Sequence, residues 1–186
     1  DLTRQWDLRR YKDLASLLQI FAVYSSKPLN IQEICRKISG NALTVSSYLN
    51  ALEAMYLIDE LPAWESKDYK IGSKTPEIFL TDSALMAHLL NIHTTDDLLS
   101  SQEKMANEGG KLVETWAYTQ LIPEVELHPL WKMHHFRNKN NQEIDFLITD
   151  EKNRKLGIEI KAAESACAAC ALSPWCDYAA AGAETR

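Results

Sequence analysis

Apolar residues recur at helical spacing through the first third of the chain and predict three helices. The first helix spans Tyr11–Tyr24. A second begins after Asn30, where Glu33 completes a start that resembles a capping box, and Thr44 can cap a third. Short breaks rich in Ser, Gly, Pro and Asn separate these segments, so we expect three distinct helices that pack against one another.

Two short strand patterns follow the third helix. Residues 58–64 fit an edge strand, residues 77–80 fit a second strand, and a polar loop lies between them. A helix-turn-helix followed by a hairpin is the order of a winged helix, so we assign residues 1–80 to a winged-helix domain. Residues 81–110 are expected to form connecting helices, the first of them capped by Thr81 or Asp82.

The hydrophobic period changes from helical to alternating in the last third of the chain. A helix over Lys111–Leu121 is expected to bury Trp116 and to be ended by Pro123. Three strands follow, over Trp131–Arg137, Glu143–Thr149 and Leu156–Ala162. Residues 111–164 are therefore predicted to form a small α/β (α+β) domain with a mixed or antiparallel sheet. The tail, residues 165–186, is rich in Ala and Cys, and we expect it to be disordered or not native to the fold.

The composition and charge exclude several classes of protein. The chain has 186 residues, of which 46% are hydrophobic and 25% are charged, and these values are typical of globular proteins rather than disordered or collagen-like chains. Its formal net charge is −6. A protein that coats nucleic acid through bulk positive charge is therefore excluded, and any contact with DNA must be local.

The sequence also bears on the cellular compartment. No apolar run approaches the roughly 20 residues that span a bilayer, and the N-terminus lacks the apolar segment of a signal peptide. The 4 cysteines are too few for a secreted disulfide scaffold, so we expect a cytoplasmic protein with no membrane partner. The chain has no initiator Met, which predicts a fragment of a longer protein.

Four residues in the last third form a candidate site. Glu114 lies in the predicted helix, Asp145 on the second strand, and Glu159 and Lys161 on the third strand, where they share one face. Asp145 and Glu159 lie on adjacent strands and can converge on a hard cation such as Mg²⁺, which prefers oxygen ligands. A lysine beside such an ion can orient water and stabilise charge on a phosphate. The alternative is that these residues form the solvated face of an amphipathic sheet.

The complete set of motifs is more specific than any single motif. A helix Glu, then EIDF, then IEIK looks like the PD-(D/E)xK signature of restriction-endonuclease-like domains. The winged helix, IFLTDSALMAHLL, EGGKLVETWAYTQL, HHFRNKNNQEIDFLI and IEIKA together resemble the C-terminal region, catalogued as a domain of unknown function, of bacterial AAA-like P-loop ATP-binding proteins. The resemblance covers nearly all of residues 10–164. It implies a winged helix followed by a restriction-endonuclease-like domain.

This resemblance implies a role for each candidate residue. Asp145 and Glu159 would be ligands of Mg²⁺, Lys161 the cation that activates water, and Glu114 an acid outside the ion's ligand set. DNA is the implied substrate. Residues 82–85 read DSAL where the family usually has Asp-Thr-Gly-Leu, the turn before EIDF lacks the usual Gly, and the Ala- and Cys-rich tail does not resemble the family. Arg137 and Glu143 match family positions to which we assign no role.

The resemblance also implies a partner, an upstream P-loop ATPase domain that would bind ATP. This chain has no Walker A loop of its own, because the nearest candidate, residues 108–112, lacks the first Gly and the hydroxyl residue. ATP is therefore expected only through a domain that this sequence does not contain. The oligomeric state stays open.

The predicted recognition helix is poor in groups that read DNA. From Ile38 to Ser66 there is no Lys or Arg, and the basic cluster of the region is Lys67, Lys70 and Lys74 in the predicted wing. We therefore favour a packing or protein-contact role for the winged helix over specific DNA reading. The chain as a whole leaves two functions open, namely Mg²⁺-dependent DNA hydrolysis and a catalytically idle scaffold that binds DNA or protein and regulates an ATPase.

Two further sets of metal-binding residue types are not assigned to a metal. Zinc sites normally have four ligands, and Cys167, Cys170 and Cys176 have no His nearby to complete such a set. His134 and His135 are adjacent on a predicted strand and point to opposite faces, so they cannot chelate one ion together. We expect these two histidines to lie on the strand surface, with one of them able to face the carboxylate site.

Overall fold

The computed structural model describes residues 11–38, 40–64, 75–138 and 142–161 and shows a mixed α/β chain with two small antiparallel sheets of three strands each. Its helices are α1 (Tyr11–Tyr24), α2 (Ile31–Ile38), α3 (Ala42–Ala54), α4 (Ser83–Leu89), α5 (Thr95–Leu99), α6 (Gln102–Lys104) and α7 (Gly110–Glu126). Its strands are β1 (Lys27–Pro28), β2 (Ile58–Leu61), β3 (Glu77–Leu80), β4 (Lys132–Arg137), β5 (Glu143–Thr149) and β6 (Lys155–Ile158).

The first sheet has the strand order β1-β3-β2, with both pairs antiparallel. The two-residue strand β1 was not predicted, because Lys27 and Pro28 have no strand pattern of their own and are extended only through pairing with Ile78 and Glu77. Helices α1 to α3 cover this sheet and form the first hydrophobic core. Fully buried members of that core include Leu17, Phe21, Ile34, Leu52, Ile58 and Ile78.

The second sheet is an antiparallel meander of β4, β5 and β6, which is one of the two arrangements, mixed or antiparallel, that the sequence left open. A second hydrophobic core lies between this sheet and α7. The aromatic ring of Phe79, from the first sheet, stacks on Tyr118 of α7 with ring centroids 4.5 Å apart, and its centroid lies 5.7 Å from that of Phe146. The first sheet therefore contributes to the core under the second sheet.

The backbone itself links the two sheets. After β2, the chain continues through residues 62–64 and forms a parallel bridge between Ala63 and His135 of β4. The His135 amide donates to the Pro62 carbonyl at 3.0 Å, and the Trp64 amide donates to the His135 carbonyl at 2.7 Å. The predicted edge strand is therefore divided. Its first part is an edge strand of the first sheet, and its last residues lie along the second.

The ends of the N-terminal helices follow their polar residues. Asn30 accepts from the Glu33 amide at 3.1 Å, which confirms the predicted cap of α2. Helix α3 is capped by Asn41 and not by Thr44, because the Asn41 side-chain oxygen accepts from both the amide and the hydroxyl of Thr44. Asp82 caps α4 by accepting from two backbone amides.

Helix α7 differs from the sequence prediction in three details. It begins at Gly110, as the continuation of a π-helix over Met105–Gly109, where only a polar connection was expected. It also continues past Pro123. The carbonyl that Pro123 leaves without its helical N–H partner belongs to Thr119, a half-exposed residue. Trp116 is 55% exposed, and the buried positions of the helix include Tyr118 and Val125 instead.

Strand β6 ends at Ile158, four residues before the predicted end, so Glu159 and Lys161 follow the strand and do not lie on it. The strand ends here because a side chain, and not a backbone carbonyl, accepts the next amide hydrogen bond. The Ile160 amide donates to the Asp145 carboxylate at 2.6 Å and not to a backbone carbonyl of β5. By contrast, β5 has the predicted bounds, and β4 begins one residue later than predicted.

Several predictions lie outside the described residues. They concern the wing lysines Lys67, Lys70 and Lys74, the turn at residues 139–141, and the tail at 165–186 with its three cysteines. Within the ranges that are described, no helix is both long enough and apolar enough to cross a membrane.

Candidate functional site

A cavity of about 370 Å³ opens between β1, α7 and the strands β3 and β5. Four carboxyl groups line it, those of Glu77, Glu114, Glu143 and Asp145. Three cations also line it, namely Lys27, Lys111 and Arg137. Among the predicted site residues, Glu114 and Asp145 are thus in the wall, whereas Glu159 and Lys161 do not appear among the described residues that line the cavity.

Glu114 enters the cavity from α7 and is half-buried. Burial raises the pKa of its carboxyl group, a hydrogen bond from the Ser26 hydroxyl lowers it, and the nearby Asp145 raises it again. Ser26 has a φ of 59°, in the left-handed region that non-glycine residues seldom adopt. Next to this contact, the buried hydroxyls of Ser25 and Thr115 form a hydrogen bond, with their oxygen atoms 2.7 Å apart. The turn after α1 therefore holds α7 in register.

Asp145 is the residue that connects β5 to the segment after β6. Its carboxylate accepts the Ile160 amide, and this hydrogen bond lowers the pKa of Asp145 against the larger effect of burial, which raises it. Glu143 raises the same pKa and Lys161 lowers it. The Asp145 carboxylate thus accepts a backbone amide and also interacts with the charges of Glu143 and Lys161.

Glu159 and Lys161 form an ion pair with each other just after β6. The hydrogen bond with Glu159 is the main reason that the pKa of Lys161 is raised, and Asp145 and Glu143 add to it. Lys161 also lowers the pKa of Glu114. Three of the four predicted residues, Glu114, Asp145 and Lys161, therefore interact electrostatically, and Glu159 joins them through Lys161 and its weaker effect on Asp145.

The chemistry of these groups suits a hard cation better than a soft one. In the described part of the chain, no group of three His, Cys, Asp or Glu side chains has the spacing of a metal site. Mg²⁺ is commonly held by one or two carboxylates with water completing its octahedron. Of the two predicted ligands, Asp145 lines the cavity, and Glu159 lies in the segment that follows β6. Oxygen donors with raised pKa values gain from a nearby positive charge, which favours their ionised form.

Comparisons with known proteins match both halves of the chain. The family described as Domain of unknown function (DUF8612) matches residues 1–96 of the 186. The chain belongs to this DUF8612 family. A second family, Domain of unknown function (DUF4143), which is known from AAA-ATPase-associated proteins, matches residues 109–176. Within this member of the DUF8612 family, Glu77 lies in the first match, and Glu114, Asp145, Glu159 and Lys161 lie in the second.

Two curated relatives are similar to this DUF8612 member. They are an uncharacterized protein of Mycobacterium bovis and an uncharacterized protein of Mycobacterium tuberculosis, each 26% identical over 142 residues. The alignment covers 76% of this chain and 30% of each relative, so the chain spans less than a third of the length of the curated relatives it matches. No solved structure matches the chain.

Sequence reasoning missed Glu77, which begins β3 and is only 7% exposed. Burial raises the pKa of its carboxyl group to about 8; among the neighbouring charges Arg137 lowers the pKa, while Asp145 and Glu114 raise it. At pH 7 the group is therefore mostly protonated. One signal was present in the sequence, because Glu77 directly precedes the unbroken apolar run at residues 78–80 of the predicted strand, and such a run without alternation is typical of a buried strand.

His135 packs against Glu77 and is buried, which corrects the prediction of a surface position. Its Nε2 donates to the Thr75 carbonyl at 3.0 Å, so Nδ1, which lies 3.7 Å from the Glu77 carboxyl, carries no proton in the neutral ring. Burial lowers the pKa of His135. The contact at neutral pH is therefore between an uncharged imidazole and a mostly uncharged carboxylic acid, although the geometry resembles that of an ion pair.

Arg137 and Glu143, which had no assigned role, form an ion pair at 2.5 Å across the β4–β5 register. Both side chains are at least 40% exposed, so the pair itself adds only ~0–1 kcal/mol to stability. Its consequence for the site is local. The pair places the Arg137 guanidinium where it lowers the pKa of Glu77.

Proposed function

We propose that this chain hydrolyses DNA phosphodiester bonds with the help of Mg²⁺, through a site of the PD-(D/E)xK type. The observation that carries the proposal is the meeting of Glu114 and Asp145 in one cavity with Lys161 close enough to alter the pKa of both. These residues come from a helix, a central strand and the segment after the last strand. Their convergence supports the restriction-endonuclease-like interpretation of this sheet.

Asp145 and Glu159 are the residues that would hold the ion, and Glu114, which lines the cavity with Asp145, is the further acid beside it. When bound, Mg²⁺ supplies a Lewis acid for the phosphate and lowers the pKa of a coordinated water. Lys161 is placed to orient the attacking water and to stabilise negative charge on the phosphate. Glu77, being mostly protonated, adds a hydrogen-bond donor to the cavity with little further negative charge.

The N-terminal part supports a winged helix. One helix precedes β1, two helices lie between β1 and β2, and the sheet has the order β1-β3-β2, and this order of elements supports the proposal. A winged helix next to a nuclease-like site suggests a domain that positions DNA or a protein partner. An upstream P-loop ATPase domain, which would bind ATP, is the partner that the AAA-associated DUF4143 match suggests.

The alternative is a catalytically idle scaffold that binds protein or DNA and regulates the ATPase. One observation favours it. Helix α3 and strand β2 contain no Lys or Arg, and their acids Glu53, Asp59 and Glu60 lie close enough that Asp59 and Glu60 raise the pKa of Glu53, after burial as the largest cause. Such a surface repels a phosphate backbone and suits protein contact.

DNA cleavage with matched variants separates the two functions. The purified chain is incubated with linear and branched DNA in Mg²⁺ or Mn²⁺, with chelator as the blank, beside Asp145→Asn and the exposed control Asp96→Asn. The nuclease proposal expects cleavage by the parent chain and Asp96→Asn and its loss in Asp145→Asn, with metal binding lost in calorimetry. A parent chain that neither cuts DNA nor binds metal, also when tested within the longer protein, would establish the scaffold instead.

A further inference from the structure

A second cavity, of about 590 Å³, lies on the face of the β4–β6 sheet that is turned away from α7. Lys132 and His134 alternate along β4 with Met133, which packs in the second core beside α7. Thr149 on β5 is the register partner of Lys132 and therefore shares its face. Lys132, His134 and Thr149 all line this cavity, which shares no lining residue with the cavity of the candidate site.

The floor of this second cavity contains two unpaired polar atoms. Nδ1 of His134 and Oγ1 of Thr149 are buried, and neither has a hydrogen-bond partner in the described part of the chain. Buried polar atoms are normally paired, because desolvation without a hydrogen bond is unfavourable. Burial and the nearby Lys132 lower the pKa of His134, so at neutral pH the ring has one donor and one acceptor. A rotation of either side chain about its own bonds can turn these atoms toward a ligand.

Trp64 forms an aromatic wall of the same cavity. Its position is fixed along β4, because its amide donates to the His135 carbonyl at 2.7 Å. The ammonium of the exposed Lys155 lies 5.3 Å from the centroid of the Trp64 ring. The ring is therefore in contact with a surface group as well as with the protein interior, and a large aromatic ring beside a cavity is suited to stacking a planar ligand.

The two acids that line the cavity are engaged in the turn between β5 and β6. Asp150 accepts hydrogen bonds from the amides of Lys152 and Arg154 and from the Arg154 side chain. Glu151 accepts from the Trp131 indole at 3.0 Å. Their negative charges disfavour an anion in this cavity. An uncharged ligand that stacks on an aromatic ring and makes hydrogen bonds at one edge fits these surroundings better.

We propose that this second cavity binds a nucleobase, which stacks on Trp64 and directs its hydrogen-bonding edge toward His134 and Thr149. A base is planar and uncharged, and its edge has donor and acceptor atoms side by side, which matches two polar groups on neighbouring strands. The same chemistry is present in a free nucleoside and in an unpaired base of a nucleic acid strand. The proposal goes beyond the proposed function, because this cavity is separate from the carboxylates.

The test compares base recognition in matched variants. The parent chain, Trp64→Leu, Thr149→Val and the exposed control Thr95→Val are titrated with adenosine, guanosine, cytidine and thymidine in a calorimeter. Fluorescence anisotropy in chelator then compares a single-stranded oligonucleotide with an abasic strand of the same length, which has the same phosphates without bases. Thr149→Val keeps the shape of the side chain and removes a hydroxyl that lacks a partner in the described residues, so urea unfolding should show no loss of stability.

We expect the parent chain to bind a nucleoside, or to bind the base-containing strand more tightly than the abasic strand. Trp64→Leu should weaken this binding by about 10-fold or more and Thr149→Val by about 3- to 10-fold, with Thr95→Val unchanged. Binding of nucleosides alone would support the proposal and assign the cavity to a free nucleoside. A preference for the base-containing strand would support it and assign the cavity to a nucleic acid strand.

Equal affinity for the two strands, without binding of any nucleoside, would overturn the proposal. So would base binding that Thr149→Val leaves at the parent level, or binding of a neutral oligosaccharide in place of every nucleoside. Thr149→Val decides the outcome if Trp64→Leu does not fold. None of these measurements requires Mg²⁺ or cleavage, so failure of the nuclease assay and failure of this proposal are distinguishable.

Discussion

Burial sets the protonation of single carboxyl groups around the cavity. Glu77, Glu114 and Asp145 all have raised pKa values with burial as the main cause, but each has a different second contact. Asp145 accepts a backbone amide and Glu114 a hydroxyl, whereas no described residue donates a hydrogen bond to Glu77. The acid without a hydrogen-bond donor is the one whose pKa rises to about 8.

Glu77→Gln should flatten the dependence of stability on pH. The folded pKa of about 8 lies above the unfolded value of 4.5, so the folded state binds the extra proton, and stability falls as pH rises from about 5 to 8. In the parent chain this loss is at most ~1.4 kcal/mol per pH unit, and the neutral glutamine removes it. Urea unfolding at several pH values measures it.

His135 contributes a pH dependence of opposite sign, because its lowered pKa costs stability as pH falls below the unfolded value. Because His135 contacts Glu77, the difference between Glu77→Gln and the parent reports Glu77 together with this contact. The exposed Glu124→Gln serves as control and should leave the profile unchanged. A Glu77→Gln profile parallel to that of the parent would mean that Glu77 is ionised throughout.

Lys161→Ala should separate catalysis from folding. Lys161 is exposed and pairs with the exposed Glu159, so its loss changes the unfolding free energy by only ~0–1 kcal/mol. Under the proposed function it should reduce cleavage by roughly 10²-fold or more and spare metal binding. Cleavage rates and calorimetry, with Lys152→Ala as control, measure this. Cleavage at the parent rate would remove Lys161 from the proposed site.

At the scale of elements, local polar contacts decide where helices begin and where strands end. Asn41 starts α3 and Asp82 starts α4, each by accepting backbone amides that the helix leaves unpaired. Asp145 instead ends β6, because its carboxylate accepts the Ile160 amide, which would otherwise extend the ladder of backbone hydrogen bonds. One side chain thus ends a strand and lies in the candidate site.

Asn41→Ala should lower the unfolding free energy by about 1 kcal/mol, because the Thr44 amide and hydroxyl both lose their acceptor. The matched control is Asn50→Ala, an exposed position of the same helix, where alanine has the better helix propensity and no loss is expected. Urea denaturation of both variants gives the comparison. Equal stability of Asn41→Ala and the parent would rule out this cap.

At the scale of the whole molecule, the two sheets share structure and do not meet only at a linker. The second core takes Leu61 and Phe79 from the first sheet, and residues 62–64 run along β4. The carboxyl groups of the cavity come from both parts of the chain as well. The geometry of the candidate site therefore depends on the contact between the sheets.

Phe79→Ala should destabilise both sheets together. The ring is 1% exposed and contacts Tyr118 and Phe146, so its removal should cost ~3–5 kcal/mol. Amide hydrogen exchange should show faster opening in both β2 and β5, whereas the exposed control Leu43→Ala should change stability by less than ~0.5 kcal/mol. Faster exchange confined to one sheet would indicate two independent units.

The sequence alone determined the features that depend on neighbours along the chain. The bounds of α1 and β5, the start of α2 and the cap Asn30 followed from period and turn chemistry, which act over a few residues. The motif also selected Asp145 and Lys161, which influence each other's pKa although Lys161 follows β6 and does not lie on it. These results are local, and a local pattern is sufficient to specify them.

The tertiary structure alone decided the features that depend on contacts between distant segments. The two-residue β1 exists through pairing with β3, Trp116 is exposed because α7 turns Tyr118 into the core, and β6 ends at a side chain of β5. Glu77 joins Glu114 and Asp145 only because the two sheets meet. Burial then raises its pKa, and burial is a property of the packed molecule that no single stretch of sequence contains.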